Sequence, residues 1–326
     1  MTARLEMKLV FVPRYAHDEL LEATQSISGV TVVTASPEDL RQKIRDADIL
    51  VVGNRSYNAD IASILKETPK HLRFIQFSTS GTERALQFGM PPDVLAAAAP
   101  GVKAASVAEH AVSLILADFR CHHSSALAQS DAQWRREAIN GNCRNLEDAT
   151  VVIVGLGAIG LDVARKLRAF DCHIVGVSRS VQPSPFLDES IPFAQIDAAL
   201  ARADVVVLCV PATADTDGLI DAARLSRMKT DALLVNVARG ELVDEDALVA
   251  ALADGGIRAA ALDVARYEPL ASESLLWALP NVRITPHVAG SGRGGGGRFK
   301  AILIENLRRL EAGEPLLHAV VQREPS

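Results

Sequence analysis

Residues 151–160 read VVIVGLGAIG: an unbroken apolar run, then Gly155-x-Gly157-x-x-Gly160, then the helical pattern of 161–170. A short β-branched run stopped by glycine reads as a buried strand rather than part of a helix. In a strand, turn, helix context each glycine has a task. Gly155 permits the tight turn, Gly157 lets a pyrophosphate approach the backbone, and Gly160 lets helix and strand pack closely. The first helical N–H groups, around Ala158 and Ile159, offer the phosphates the positive end of a dipole. The bland alternative is a glycine-rich turn that holds no ligand.

The next strand, 173–177, should end about 20 residues past the glycines in a carboxylate if the ligand is NAD, where it accepts hydrogen bonds from the ribose. The chain instead has Ser178-Arg179-Ser180. A guanidinium and hydroxyl donors suit a 2′-phosphate, which a carboxylate would repel. NADP(H) is therefore the preferred cofactor and NAD(H) a possible one, since Arg179 could equally stack on adenine.

Further apolar runs at 205–210, 232–237, 258–264 and 282–285 bring this unit to six strands separated by helical segments, a doubly wound sheet. A long, largely buried helix is expected over 104–128, followed by a polar stretch at 129–148. Toward the N-terminus, runs at 8–12, 30–34, 49–52 and 74–77 alternate with helical patterns, one of them opened by Ser36-Pro37 and reaching about Arg45. These make a smaller α/β domain. The periodicity of 299–312 comes after the last strand and should pack back on that first domain. The fold class is thus α/β with two doubly wound parallel-sheet domains: 104–288, Rossmann-type and cofactor-binding, and 1–103 with 289–326, a substrate domain. Residues 290–297 hold six glycines in eight positions. Glycine costs about 1 kcal/mol per residue against alanine in a helix interior, so the last helix is expected to start late, near Phe299.

Composition agrees with such a protein. At 326 residues the chain exceeds twice the one-domain length of about 150. Hydrophobic residues are 48%, charged residues 23% and the net charge is -6, with no basic stripe, which excludes a nucleic-acid partner. No apolar run approaches the about 18 residues of a membrane span. The apolar N-terminal stretch has no small-residue cleavage site after it, so a cytoplasmic location is expected. The four cysteines form no CxxC pair, which fits reduced thiols and no metal site.

Three polar residues follow strands of the larger sheet: Arg239, Glu268 and His287. Singly each has a bland reading, as a surface arginine, a solvated glutamate and a capped histidine. Together they suit carbonyl reduction. Histidine is a proton donor near neutral pH, a carboxylate orients the ring and favours its charged form, and a guanidinium clamps a substrate carboxylate while polarising the adjacent carbonyl. That chemistry is 2-keto acid reduction.

At these residues the sequence resembles the D-isomer-specific 2-hydroxyacid dehydrogenases, which include glyoxylate/hydroxypyruvate reductases and phosphoglycerate dehydrogenases. The resemblance covers nearly the whole chain, through VAEHAV at 107–112, VGLGAIG at 154–160, ADVVVLCVPAT at 203–213, MKTDALLVNVARGELVDEDAL at 228–248, ALDVARYEPL at 261–270 and NVRITPHVAG at 281–290. It implies a flavodoxin-like substrate domain and a catalytic set of Arg239, Glu268 and His287. It further implies that Asp263 receives the nicotinamide carboxamide and that Val210, Pro211, Thr216, Val237, Ala238, Arg239, His287 and Gly290 line the cofactor. For the substrate it implies backbone N–H groups at Ser80 and Gly81, within Ser78-Thr79-Ser80-Gly81, together with Arg239 and His287. Arg55 is a second positive contact or simply an exposed loop arginine. Loops near Tyr57, Thr79 and Trp277 are expected to set substrate size. The expected partners are a small 2-keto or 2-hydroxy acid and a second copy of the chain, as a homodimer through 104–128. The rival readings are a non-catalytic dinucleotide-sensing regulator on the same fold and a formate or phosphite dehydrogenase of the same superfamily.

Overall fold

Every apolar run singled out above becomes a strand, and among the described residues the named strands all pair in parallel, with one isolated antiparallel bridge between Ala97 and Ala319. The computed structural model describes residues 7–13, 18–67, 71–181 and 183–320, and the chain divides into one unit of Met1–Ala105 with Ser291–Ser326 and another of Ser106–Gly290.

The first unit contains β1 (Met7–Phe11), β2 (Val30–Thr34), β3 (Ile49–Val52), β4 (Phe74–Phe77) and β5 (Leu95–Ala97), in the order β2-β1-β3-β4-β5. That is the flavodoxin-like winding. β3 and β4 are buried at every position, which is why neither alternates with solvent-facing residues; β3 is wholly apolar, and the one polar residue of β4, Gln76, is buried with its amide donating to the Ala97 carbonyl at 3.1 Å. One core lies on the face of Val10, Leu50, Val52, Ile75 and Phe77, and the other on the face of Leu9, Phe11, Ile49, Val51 and Phe74. Helix Gly296–Ala312 completes the second core with Phe299, Leu303, Leu307 and Leu310. The helix expected from Ser36 begins only at Leu40, after a turn in which Asp39 accepts the Ser36 N–H.

The last helix starts at Gly296, three residues earlier than expected, because its glycine-rich lead-in is held from both sides. Glu19 accepts the N–H groups of Gly294 and Gly296, and the Lys103 ammonium donates to the carbonyls of Gly292 and Gly294 at 3.0 Å each. Two of the glycines, Gly295 and Gly296, are required by close approach. Gly295 has φ +96, and a Cβ there would stand 2.2 Å from the Val102 carbonyl oxygen.

The second unit contains β6 (Thr150–Val154), β7 (His173–Ser178), β8 (Glu189–Pro192), β9 (Val205–Leu208), β10 (Leu233–Asn236), β11 (Ala259–Leu262) and β12 (Val282–Ile284), in the order β12-β11-β10-β9-β6-β7-β8. This is seven strands, not the six expected. β8 reads ESIP, half-buried, and lies at the sheet edge, where proline is tolerated and no apolar run is needed. The winding reverses between β6 and β9, the position at which open α/β sheets bind ligands.

The single helix expected over 104–128 is two. Ala104–Phe119 ends, Cys121 takes a left-handed φ of +54, and His122–Ser130 follows. After Phe119 the sequence His122-His123-Ser124-Ser125 offers no apolar face to continue the packing. The segment 122–142 is mostly exposed, with Trp134 93% accessible.

Candidate active site

The turn after β6 has the geometry that its glycines foretell. Gly155 has φ +102 and lies so close to the end of β9 that a Cβ would meet the Cys209 carbonyl carbon at 2.7 Å. Gly160 is tighter still, with a Cβ falling 1.9 Å from the Gly155 oxygen. Gly157 is different: a Cβ there would meet nothing within 4 Å. The turn is thus closed by backbone on the protein side and open at Gly157 and Ala158, where helix Ala158–Leu167 begins. An open backbone approach at a helix N-terminus fits a pyrophosphate.

The other residues expected at a cofactor belong to the same unit. Ser178 ends β7 and its hydroxyl donates to the Ser180 carbonyl at 2.8 Å, while Arg179 and Ser180 are exposed. Past β9, Val210 and Pro211 open a loop closed by Thr216, whose hydroxyl donates to the Pro211 carbonyl and accepts the Thr213 N–H, both at 2.8 Å. Val237 and Ala238 follow β10 and are buried, and Gly290 ends the unit.

Arg239, Glu268 and His287 follow β10, β11 and β12, three adjacent strands, so the sheet alone brings their loops to one edge. Asn236, buried at the end of β10, fixes the first loop: its amide donates to the Arg239 carbonyl at 2.8 Å and its oxygen accepts the Ala238 N–H. Gly240 lets this loop lie on the next, since a Cβ would stand 2.0 Å from the Ala265 carbonyl carbon. His287 Nδ1 is 2.8 and 2.7 Å from the two Glu268 carboxylate oxygens. Both side chains are about one-third exposed, at 29% and 34%, so the pair is reachable from solvent. A carboxylate can only accept, so Nδ1 carries the proton and donates.

Asp263 directly follows β11 and is buried. Only 1% exposed, its carboxylate accepts the Thr285 hydroxyl at 2.6 Å and the N–H groups of Val288 and Ala289 at 2.9 Å each. All three donors belong to the 285–289 loop, so the carboxylate holds that loop, whatever contact it makes to a ligand. Thr285 and Asn236 were not singled out in the sequence. The only signal for them is a polar residue closing an apolar strand.

In the first unit, Ser80 is exposed and Gly81 half-buried on the turn after β4. The Thr79 hydroxyl donates to the Gly81 carbonyl at 3.0 Å and accepts the Asn54 N–H at 3.2 Å, which sets the 54–56 turn with the exposed Arg55 beside it. Tyr57, which follows the 54–56 turn, is itself a core residue, wholly buried against Phe77 with its hydroxyl donating to the Gly89 carbonyl.

Known proteins are similar to this chain. The family model described as "D-isomer specific 2-hydroxyacid dehydrogenase, NAD binding domain" matches residues 112–289. Glyoxylate reductase of Thermococcus kodakarensis is 33% identical over 85% of the chain and 84% of its own length. D-3-phosphoglycerate dehydrogenase of Mycobacterium bovis is 34% identical over 87% of the chain, but the chain spans only 53% of that protein. Among solved structures, the NADPH-dependent glyoxylate/hydroxypyruvate reductase of Sinorhizobium meliloti, in complex with NADP and sulfate, is similar with a TM-score of 0.80 and 27% identity, over 97% of this chain and 98% of that one.

Proposed function

The chain belongs to the D-isomer specific 2-hydroxyacid dehydrogenase family, and on that footing we propose that it reduces a small 2-keto acid of the glyoxylate or hydroxypyruvate kind with NADP(H) in preference to NAD(H). The observation that carries this reading is the contact of His287 Nδ1 with both oxygens of Glu268. With Nδ1 turned to the carboxylate, Nε2 is the nitrogen left to give its proton to a substrate carbonyl oxygen. Glu268 orients the ring and stabilises the imidazolium from which that proton leaves. Arg239, one strand over, clamps the substrate carboxylate and polarises the carbonyl. A cofactor bound on the 155–160 turn would supply the hydride. Arg179, exposed at the end of β7 where no carboxylate stands, favours a 2′-phosphate. In the first unit the N–H groups of Ser80 and Gly81, with Arg55 beside them, are the proposed seat for an anion. Asp263, Val210, Pro211, Thr216, Val237, Ala238 and Gly290 are proposed to frame the nicotinamide end.

The test is NADPH oxidation by the purified protein with glyoxylate and hydroxypyruvate. His287→Ala should lower kcat by about two to four powers of ten while NADPH binding survives. A wild-type protein that binds NADPH and turns over no 2-keto acid would instead be a dinucleotide sensor. A cytoplasmic location belongs to the same proposal, supported by four free cysteines. A homodimer does too, supported by the exposed 122–142 segment with Leu127 and Trp134.

A further inference from the structure

His110 lies on helix Ala104–Phe119, far in sequence from the proposed catalytic residues, and its ring reaches the loop that carries His287. Its Nε2 is 2.9 Å from the Thr285 hydroxyl oxygen and 3.4 Å from Asp263 Oδ1. The direction of these bonds follows from proton counting. Thr285 has one hydroxyl proton and gives it to Asp263 Oδ1 at 2.6 Å, so toward His110 it can only accept. His110 Nε2 therefore carries a proton and donates. The chain of donors runs from His110 through Thr285 to a carboxylate that is 1% exposed. That carboxylate then takes the Val288 and Ala289 N–H groups, and the Asp263 carbonyl takes the His287 N–H at 2.7 Å. All five bonds have an end in residues 285–289.

What they hold is an unfavoured backbone. His287 has φ +52, in the left-handed region that a side chain with a Cβ seldom adopts. Such a residue stays there only when its surroundings over-determine it, and the Asp263 network is what does so. We propose that His110 is a positioning residue: by donating to Thr285 it completes the network that keeps His287 in its left-handed conformation and its ring on Glu268. The proposal rests on the reading of His287 as the proton donor for its kinetic consequence, though not for its structural one.

The experiment compares His110→Ala, His110→Gln and Thr285→Val with the full-length wild type. A glutamine amide can place a donor where Nε2 stands, an alanine cannot, and valine keeps the shape of threonine without its hydroxyl. His110→Ala and Thr285→Val are each expected to lower kcat by about ten- to a hundredfold, the scale seen when the outer partner of a functional group is removed, with the NADPH dissociation constant changed less than about threefold. His110→Gln should recover most of the loss. Amide hydrogen exchange at Val288 and Ala289 should quicken in the first two variants and return toward wild type in the third. This readout needs no turnover, so it separates failure of the positioning from failure of the proposed activity. Unchanged exchange in both Thr285→Val and His110→Ala overturns the proposal, and so does a glutamine variant as impaired as the alanine one. If His110→Ala does not fold, Thr285→Val carries the same test from the other end of the bond.

Discussion

Replacing Glu268 by glutamine keeps the shape of its pair with His287 and removes the charge. Hydrogen bonds to charged groups contribute about 1.5 to 3 kcal/mol, so losing the charge-assisted part of this one should slow 2-keto acid reduction by roughly ten- to a hundredfold. NADPH binding, measured by fluorescence titration, should be untouched, and a variant with wild-type kcat would remove Glu268 from the chemistry. Arg179 is tested on the other substrate. Arg179→Ala should raise the KM for NADPH about tenfold or more and leave that for NADH within about twofold, because only the former has the 2′-phosphate. Equal effects on both would mean that the guanidinium stacks on the adenine instead. At this scale the sequence was most legible where chemistry dictates residue type. The glycines of 155–160 could be assigned tasks before any geometry, and Gly155 and Gly160 prove to be the closed positions and Gly157 the open one. It was least legible where a side chain serves another side chain. Nothing in VAEHAV announces that its histidine reaches Thr285, 175 residues away.

Among the elements, the glycine-rich lead-in to helix Gly296–Ala312 depends most visibly on one charge. The N–H groups of Gly294 and Gly296 on its carboxylate hold Glu19 below the ordinary value of 4.5. A carboxyl lowered in the folded state stabilises the fold above its unfolded pKa and ceases to as pH falls through the folded one. Glu19→Gln should therefore cost about 0.5–2 kcal/mol at neutral pH, the range for a lost helix cap, read as a lower urea midpoint. The gap between wild type and variant should close in acid, and a gap that persisted there would point to packing rather than charge. Here glycine content alone misplaced the helix start, because the penalty for glycine is a helix-interior figure and these glycines stand at a capped end. The two strands not expected, β5 and β8, failed for a related reason. Leu95–Ala97 is three residues without a β-branched side chain, and Glu189–Pro192 carries its proline and glutamate at an edge. β8 is paired on one side only, and β5 meets β4 on one side and just a short antiparallel bridge at Ala97 and Ala319 on the other, so neither sequence need look like the interior.

For the molecule as a whole, the proposed homodimer is checked by light scattering coupled to size exclusion. Trp134→Glu should shift the mass toward that of one chain, and a wild type already at 34.8 kDa would end the proposal. The two-unit organisation itself could be read from where the apolar runs fall, since a helical pattern beyond the last strand of one sheet has to cover something else. That arrangement bears on how the protein is made. The first unit's core includes Phe299, Leu303, Leu307 and Leu310, all of which follow the whole of Ser106–Gly290 in the chain. At about 5–20 residues per second of synthesis, the ribosome takes roughly ten to forty seconds to pass the intervening unit. During that interval β1 to β5 are complete but one face of their sheet, that of Leu9, Phe11, Ile49, Val51 and Phe74, has only the part of its cover that Leu20, Ile27 and Val102 supply. The second unit can mature on the nascent chain, while the first has to be kept from sticking until the last helix emerges. Chains arrested before Gly296 should accordingly show a protease-resistant second unit and a first unit that recruits holdase chaperones.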